Sequence, residues 1–468
     1  MARHPKLGFL LCGAAGLLVA AGTGIVGISS ASATGSPTLY VGASGSDSGG
    51  NACRLPAHPC ATIAYALTQA PAGGSTIDVG AGTFTQPLQI TKPVSIVGTV
   101  VNGSIGTVIK PTSTVADTDP QNFEGLTTVA ALVDVTDDAT VDLANLNING
   151  STEGPTFTTC GAPNFVGLYY HNASGNVDNT KVVNVQLPAA DFGCQSGDAV
   201  YVGSDAGSPY PASHVIFNDD TVKAYDKNGI TCRYAGTVCD VSDSVVTGIG
   251  PTSLIGQNGM EYAFGSSGAV LSSTVTGNSY TGASGVSPAG NSASGILVYD
   301  TGAMRVTGDT LSGNDVNISA SADSGQIPGS WYIESNTVGG ATDNLSPAAG
   351  GPSEGNQYGD GIQIEGVDGS VNPTTVSDNV ATGDYEYGIS VFGTANITVS
   401  DNTTKTDYDG IYVDSASGPN TIADNIAKRD TVYDYQDAST GSGTSGTADT
   451  WTGNTCKPAL DSDPEGLC

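Results

Sequence analysis

Basic residues are scarce in this sequence of 468 residues, which has 14 Lys and Arg against 45 Asp and Glu and a formal net charge of −31. Such an acidic surface repels nucleic acid and anionic membranes, so we expect neither as a partner. It also repels an anionic glycan unless cations intervene. Runs of Leu, Glu, Lys or Arg are missing as well, whereas 65 Gly and many Ser, Thr, Asn and Asp are present. This composition is typical of an all-β protein with many short strands and turns.

Long apolar runs are missing after the first 33 residues. The segment 1–33 has a basic start, an apolar middle over 7–28 and an Ala-Ser-Ala end at 31–33. This pattern predicts a signal peptide over 1–33 and therefore a secreted, extracellular protein. An uncleaved membrane anchor is the alternative for the same segment.

The sequence also lacks any Cys-x-x-Cys or Cys/His cluster with the spacing of a zinc site. One of its 9 Cys, Cys12, lies in the signal, and the even number that remains predicts disulfides in an exported chain. Sequence alone leaves the connectivity open. The simplest arrangement pairs neighbours: Cys53–Cys60, Cys160–Cys194, Cys232–Cys239 and Cys456–Cys468.

What the sequence has in abundance is a short repeat. The copies are NGITCR at 228, NGMEYA at 258, SGILVY at 294, DGIQIE at 360, YGISVF at 387 and DGIYVD at 409, with weaker forms at 166 and 198 and a hidden copy near 315–320. Each Gly-Ile-x-Val predicts a short strand whose Ile and Val share one face. One unit of about two dozen residues cannot bury that face alone. Stacked units would form one continuous core, which predicts a parallel β-solenoid.

Polar pairs at the turns support this stacking. Asn379, Asn402 and Asn425 recur every 23 residues. Residues one coil apart lie about 4.8 Å apart, so we expect these Asn side chains to form a hydrogen-bonded ladder inside a tight turn. The pair Asp219-Asp220 takes the same place in its own unit, and we interpret it as a turn too.

The beginning of the chain predicts a cap. Residues 62–69 predict a helix with an apolar stripe (Ile63, Ala66, Leu67 and Ala70), suited to covering the open end of a solenoid core.

The segment ATIAYALTQAPAGGSTIDVGAGTFTQPLQITKPVSIVG, 61–98, resembles the entry segment of the pectin-lyase-like, right-handed parallel β-helix superfamily. In that group a helix, a Gly-rich turn, TI-x-V-x-x-G-T-[YF] and a V-x-I-x-G strand begin the β-helix. With the repeats, the resemblance covers residues 38–437, and the tail resembles the ends of secreted bacterial β-helix repeat proteins. It implies one right-handed parallel β-helix. The superfamily includes lyases, hydrolases, esterases, epimerases and adhesins, so no single activity is implied.

We therefore expect four parts along the chain. They are a signal peptide over 1–33, an N-terminal cap with the first coils over 34–100, the parallel β-helix over 101–437, and a Gly/Ser/Thr-rich link with a disulfide-closed tail over 438–468.

The polygalacturonase motifs Gly-His-Gly and Arg-Ile-Lys are missing, and Asp219-Asp220 matches the Asp-Asp motif. Candidate residues must therefore come from the outward positions of the repeats. If Ile230 and Cys232 face inward, Arg233 faces outward, and Glu261 does so one coil later. The two predict an acid–base catalytic pair, with an ordinary surface ion pair as the alternative.

The same register predicts a long outward face that mixes aromatic rings with acids and amides. Such a face suits a sugar chain, although exposed aromatic residues also simply favour strands, and a slip of one residue would turn them all inward. The predicted substrate-binding residues are Tyr169, His171, Tyr201, Tyr299, Gln363, Glu365, Phe392, Tyr412 and Asp414.

The resulting hypothesis is a secreted β-helix protein that binds an extracellular polysaccharide and cleaves it as a polysaccharide lyase or glycoside hydrolase. The alternative is a non-catalytic surface, matrix or adhesion protein. The negative charge favours a neutral polysaccharide, or an anionic one held through calcium. Calcium is the one cofactor considered, because acids precede the Gly of several repeats, although most Asp-Gly steps are turns. These acids are Asp198, Asp360, Glu386 and Asp409, with Asp384 and Asp407 nearby.

Overall fold

The structure, a computed structural model, describes residues 36–117, 128–151, 163–281, 293–342, 359–457 and 461–468. Residues Pro37–Cys468 form one compact unit. In the described part of the chain, three long sheets run through this unit, and we number them sheets 1, 2 and 3. Each circuit of the chain through the three sheets forms one coil. Neighbouring coils pair in parallel. The predicted parallel β-helix is confirmed.

Sheet 1 carries the Gly-Ile repeats. Within the described residues its strands are Leu88–Ile90, Val129–Val135, Asn164–His171, Asp198–Gly203, Asn228–Arg233, Asn258–Ala263, Ser294–Tyr299, Val316–Ser321, Ile362–Glu365, Tyr387–Phe392, Asp409–Val413, Tyr433–Asp437 and Ser462–Asp463, with Val115–Asp117 antiparallel to the second.

Sheet 2 consists of Thr38–Val41, Thr76–Val79, Val94–Gly98, Val141–Ala144, Gly175–Asp178, His214–Asn218, Val238–Ser242, Ser267–Leu271, Met304–Thr307, Trp331–Glu334, Thr374–Ser377, Thr398–Ser400, Thr421–Ala423 and Thr450–Thr452. Sheet 3 consists of Gly82–Phe84, Thr107–Ile109, Leu146–Asn149, Lys181–Val185, Thr221–Tyr225, Val245–Thr252, Thr274–Tyr280, Thr310–Ser312, Thr337–Gly339, Val380–Thr382, Thr403–Lys405, Ile426–Lys428 and Thr455–Lys457. A small hairpin, Val100–Val101 with Ser104–Ile105, lies outside them.

The Ile and Val of the repeats stack in register and face one continuous core. Ile230, Met260 and Ile296 are paired across neighbouring strands and are fully buried. The hidden repeat is present as the strand Val316–Ser321, whose Ile318 continues the same row.

The Gly of each repeat is required by close packing against sheet 3. A Cβ on Gly229 would lie 2.6 Å from Val246 Cγ1, and one on Gly259 would lie 2.3 Å from Val275 Cγ1. Cβ atoms do not approach other carbon atoms so closely, so a larger residue would push the two sheets apart.

The predicted Asn ladder is present at the turn between sheets 2 and 3. From coil to coil each Asn donates an Nδ2–H to the next Asn Oδ1 at 3.0 Å, along the series Asn336, Asn379, Asn402, Asn425 and Asn454. Asp220 holds the same position in an earlier coil, where its Oδ1 accepts the Thr180 N–H at 2.7 Å. Asp219, at φ 54°, makes the tight turn before it. The turn interpretation of Asp219-Asp220 agrees with this geometry.

A second ladder, made of aspartates, lies at the turn between sheets 3 and 1. Asp384 N–H donates to Asp407 Oδ1 at 2.8 Å, and Asp407 N–H donates to Asp430 Oδ1 at 2.9 Å. Burial and the charge of the next carboxylate raise the pKa of both Asp384 and Asp407 well above the ordinary value. Burial and the charge of Asp434 raise the pKa of Asp430 to about 7, although hydrogen bonds from the backbone oppose this. We call these three residues the Asp ladder.

The cap also agrees with its prediction. The helix Ile63–Gln69 begins at Thr62, whose Oγ1 accepts the Tyr65 N–H at 3.1 Å. Its buried side chains, Ile63, Ala66 and Leu67, join the core of the first coils.

The C-terminal end differs from the predicted link and tail. Strands Thr450–Thr452, Thr455–Lys457 and Ser462–Asp463 add one further strand to each sheet, so the β-helix continues past residue 437. Residues 438–450 are tied to it: Ala438 N–H donates to Val413 O at 2.9 Å, and Asn420 N–H donates to Asp449 Oδ1 at 2.6 Å. The sequence did not reveal this coil, because its strands are short and polar and lie among Gly, Ser and Thr residues.

Disulfides Cys53–Cys60, Cys232–Cys239 and Cys456–Cys468 are present as predicted. The predicted partner of Cys194, Cys160, lies outside the described residues, as does the predicted signal at 1–33. In the part of the chain that is described, no helix is both long and apolar enough to cross a membrane. The disulfides fit an oxidising location, extracellular or periplasmic.

The Asp ladder should make stability depend on pH. Its folded-state pKa values lie above the ordinary 3.8. Its contribution is therefore full below about pH 3.8 and is lost as pH rises to 7 and beyond. We expect the unfolding temperature to fall between pH 4 and pH 8. Asp384→Asn keeps an oxygen that can accept the Ala341 N–H and should raise stability at pH 7, with a smaller effect at pH 4.

The measurement is thermal unfolding by circular dichroism across that pH range. Asp378→Asn is the matched control, because Asp378 is exposed at a turn and belongs to neither ladder. Equal pH dependence in wild type and Asp384→Asn would show that Asp384 does not act in this way.

Candidate functional site

The outer face of sheet 1 holds the predicted site residues in register. Tyr169 pairs with Tyr201, and Gln363 with Ser390 beside Tyr412, in one column. The neighbouring column contains His171, Arg233, Tyr299, Glu365 and Phe392. Aromatic residues of both columns form small clusters separate from the main core. The register and these clusters agree with an outward placement, while substrate binding by these residues stays a prediction. Eight strand steps, about 38 Å, separate His171 from Tyr412. The predicted residues do not form one site.

A third outward column was missed in the sequence. It consists of the residue before the Gly of each repeat, which strict alternation from Ile would place inward. Because the Gly itself takes the inward place, the preceding residue turns outward. Asn228 Nδ2 thus reaches Glu261 Oε2 at 2.9 Å, and Tyr387 stacks on Tyr412 with ring centroids 4.5 Å apart. The repeated Gly was the available signal.

Arg233 and Glu261 meet on neighbouring strands, as predicted. Arg233 Nε donates to Glu261 Oε1 at 2.6 Å, and its Nη2 also contacts that oxygen. Both side chains are buried, at 7% and 3% exposure, rather than lying on the surface. The Arg233 guanidinium also lies over the Phe264 ring, 5.3 Å from its centroid.

The surroundings of Glu261 stabilise its ionised form. Burial alone would raise its pKa, but the charges of Arg233 and Lys227 and the hydrogen bonds from Arg233 and Asn228 hold the pKa of Glu261 below its usual value. A carboxylate bound in this way is a poor proton carrier near neutral pH. The geometry favours an ion pair over an acid–base pair for these two residues.

His171 lies between two carboxylates. Its Nδ1 is 3.1 Å from Asp117 Oδ2 and its Nε2 is 2.8 Å from Asp205 Oδ2. Burial lowers the pKa of the ring, but the hydrogen bonds and charges of Asp117 and Asp205 outweigh this and raise it to about 9. Burial and the charge of Asp117 raise the pKa of nearby Asp134 to about 7. His171 is therefore an imidazolium at neutral pH.

The aromatic residues predicted beside His171 pack with it. Tyr169 stacks on the His171 ring at 5.3 Å and meets the edge of Tyr201 at 5.7 Å. A cavity of about 240 Å³, lined in part by Asn172, Asp205 and Tyr210, opens beside this cluster. Tyr299 lies further along the face, in edge contact with Phe264 at 5.5 Å.

Four predicted residues line one cavity of about 420 Å³ near the C-terminal end of sheet 1. They are Glu365, Phe392, Tyr412 and Asp414, which come from three successive coils, joined in the lining by Gly366, Gly393 and Ser415. We call this space the Glu365–Asp414 cavity. Gln363, two residues before Glu365 on the same strand, accepts the Ser319 hydroxyl at 3.1 Å.

The walls of the Glu365–Asp414 cavity are held firmly. The Phe392 and Tyr412 rings lie 5.7 Å apart, and Tyr387 packs against both. Asp414 Oδ1 accepts the Gly393 N–H at 2.9 Å and the Ser417 hydroxyl at 2.5 Å. Fixed rings beside a fixed carboxylate, that of Asp414, are suited to binding a sugar, whose faces are apolar and whose edges carry hydroxyls.

The acids predicted as possible calcium ligands are buried or hydrogen-bonded within the fold. Asp360 accepts the Ser390 hydroxyl at 2.6 Å and Asp409 accepts the Tyr433 N–H at 2.9 Å, while Asp384 and Asp407 form the Asp ladder. Asp198 and Glu386 are also buried. Across the described ranges, no group of three or more His, Cys, Asp or Glu is placed to hold a metal ion.

Solved structures with a similar fold include a glucanase and a lacto-N-biosidase. The catalytic unit of a thermostable GH87 α-1,3-glucanase from Streptomyces thermodiastaticus strain HF3-3 is similar at a TM-score of 0.54 and 13% identity, covering 86% of this chain and 67% of that one. The GH136 lacto-N-biosidase from Eubacterium ramulus is similar at 0.52 and 14%, covering 91% and 66%. The fold is the right-handed parallel β-helix of the pectin-lyase-like proteins. This chain spans about two thirds of each of these neighbours.

A family model described as NosD, periplasmic copper-binding protein, matches residues 353–446. A search of curated proteins found no match. At these identities the structural neighbours establish the fold, and function has to be argued from the site.

Removing one member of the buried Arg233–Glu261 pair should destabilise the protein. Arg233→Ala leaves the Glu261 carboxylate buried and unpaired, which we expect to cost about 3–5 kcal/mol in the free energy of unfolding. Urea unfolding measures this. The matched control is Arg305→Ala, because Arg305 pairs with Glu334 at 3.5 Å on a partly exposed surface and its loss should cost under about 1 kcal/mol. Equal costs would contradict a buried, structural ion pair.

Proposed function

We propose that the protein is secreted and binds an extracellular polysaccharide on the outer face of sheet 1, at the Glu365–Asp414 cavity. The observation that carries this proposal is that four outward residues, predicted from the repeat alone, line one cavity from three successive coils. Phe392 and Tyr412, at 5% and 6% exposure, provide the apolar part of the lining for a sugar, and Glu365 and Asp414 provide acceptors for hydroxyls. The neighbouring glucanase and lacto-N-biosidase support a glycan as the ligand.

We expect the polysaccharide to be neutral, or anionic with calcium between it and the protein. The net charge of −31 and the two carboxylates in the cavity oppose direct contact with an anionic chain.

If the polysaccharide is also cleaved, we expect Glu365 and Asp414 to carry the reaction. Glycoside hydrolysis uses two carboxylates in one site, and these two line the same cavity. Arg233 and Glu261 are bound to each other instead, with both side chains buried.

We do not propose copper binding for this chain on the basis of the family description. The matched segment, 353–446, contains no His, Cys or Met. These are the side chains that copper sites in proteins use most.

The alternative remains a non-catalytic surface, matrix or adhesion protein. One observation favours it: the middle of the outer face is closed, since Tyr201, Thr231 and Glu261 are at most 2% exposed. A long polysaccharide could therefore contact the cavity without passing along the whole face.

The test is a screen of the secreted protein against neutral and acidic polysaccharides, with and without calcium, reading both retention and product release. Glu365→Gln should weaken retention about tenfold, because a neutral amide oxygen accepts weaker hydrogen bonds from sugar hydroxyls than a carboxylate does. The matched control is Glu334→Gln on the outer face of sheet 2, which should bind as wild type does.

Each readout decides between the candidates. Retention without products identifies binding alone, and products identify an enzyme. Retention by no polysaccharide, or full retention by Glu365→Gln, would contradict the proposed site.

A further inference from the structure

Three lysines stack in register on the outer side of sheet 3. Strands Thr403–Lys405, Ile426–Lys428 and Thr455–Lys457 are neighbours, and their last residues pair directly: Lys405 with Lys428, and Lys428 with Lys457. Successive coils lie about 4.8 Å apart, so the three lysines repeat at that interval along the axis of the β-helix. We call Lys405, Lys428 and Lys457 the lysine ladder.

The lysine ladder is costly for the folded protein. Like charges directly opposite each other on neighbouring strands destabilise a sheet. Lys405 and Lys457 are exposed and Lys428 is partly exposed. Across the described residues, none of the three forms an ion pair, and Arg429, directly after Lys428, adds a fourth cation without one.

The ladder is also confined to the last three coils. The same column of sheet 3 holds neutral residues in the five preceding coils: Thr247, Thr276, Ser312, Gly339 and Thr382. With only 14 basic residues in the chain, four cations in three coils form a positive strip on an otherwise strongly acidic molecule.

We propose that the lysine ladder binds an acidic polysaccharide that runs along the axis of the β-helix. A polymer with one carboxylate on each sugar presents negative charges at an interval comparable to that of the coils. The strip is one side chain wide, so a thin linear chain can contact it without approaching the acidic surfaces around it. A membrane or a nucleic acid duplex is broad and would meet those surfaces, which repel it.

This surface is separate from the Glu365–Asp414 cavity. The cavity lies on sheet 1 and the lysine ladder on sheet 3, so two glycans of different charge could be held by one molecule. The two proposals can fail independently.

The test measures binding of the full secreted chain to polygalacturonate, by retention on immobilised polymer and by calorimetry, in low and high NaCl without calcium. Wild type should bind, and binding should weaken as salt rises. The triple variant Lys405→Gln, Lys428→Gln, Lys457→Gln should lose about tenfold in affinity. Its unfolding temperature should not fall, because the substitutions remove like-charge repulsion, so the loss cannot come from unfolding.

The matched control is Lys223→Gln, since Lys223 lies in the same column one coil before Thr247 and outside the lysine ladder. It should bind polygalacturonate as wild type does. No binding by wild type, or undiminished binding by the triple variant, overturns the proposal. Equal or tighter binding to duplex DNA or to anionic phospholipid vesicles overturns the choice of a polysaccharide. Binding of neutral glycans at the cavity should be unchanged in the triple variant.

Discussion

The close stacking of one coil on the next is the constraint on which the rest of the structure depends. Each repeat approaches sheet 3 so closely at its Gly that a Cβ on Gly229 or Gly259 would overlap a core Val. The inward Ile and Val of each coil then meet those of its neighbours, and no coil buries its apolar side chains without the next. Turn residues follow the same rule, because a buried Asn or Asp finds its partner one coil away.

Stacking also decides which side chains are available for function. A position repeated in every coil becomes a column, and a column on the outer side of a sheet can hold either a structural series or a site. In the middle of sheet 1 the outward side chains bind one another, since Arg233 binds Glu261 and both are buried. Near the C-terminal end a cavity is lined by Glu365 and Asp414 together with the largely buried Phe392 and Tyr412. On sheet 3 the same rule places three lysines side by side.

The sequence was sufficient for those features that depend on periodicity alone. The Gly-Ile repeats, the Asn379–Asn402–Asn425 series and the apolar stripe of the cap helix all predicted their structures, because each follows from spacing. The outward place of Tyr387 was missed, since a Gly at the inward position interrupts strict alternation. The burial of Arg233 and Glu261 was missed because it depends on what covers the sheet. The spacing of residues in the sequence could not show which columns line a cavity. This depends on how far the side chains of adjacent coils project from the sheet.

The central claim is that the molecule binds a glycan in the Glu365–Asp414 cavity. Its most direct test is a crystal structure of the protein in complex with an oligosaccharide taken from a polysaccharide that the protein retains. We expect electron density for a sugar ring in that cavity, beside the Phe392 and Tyr412 rings and within hydrogen-bond distance of Glu365 or Asp414. Sugar density elsewhere on the molecule, with none in the cavity, would contradict this assignment.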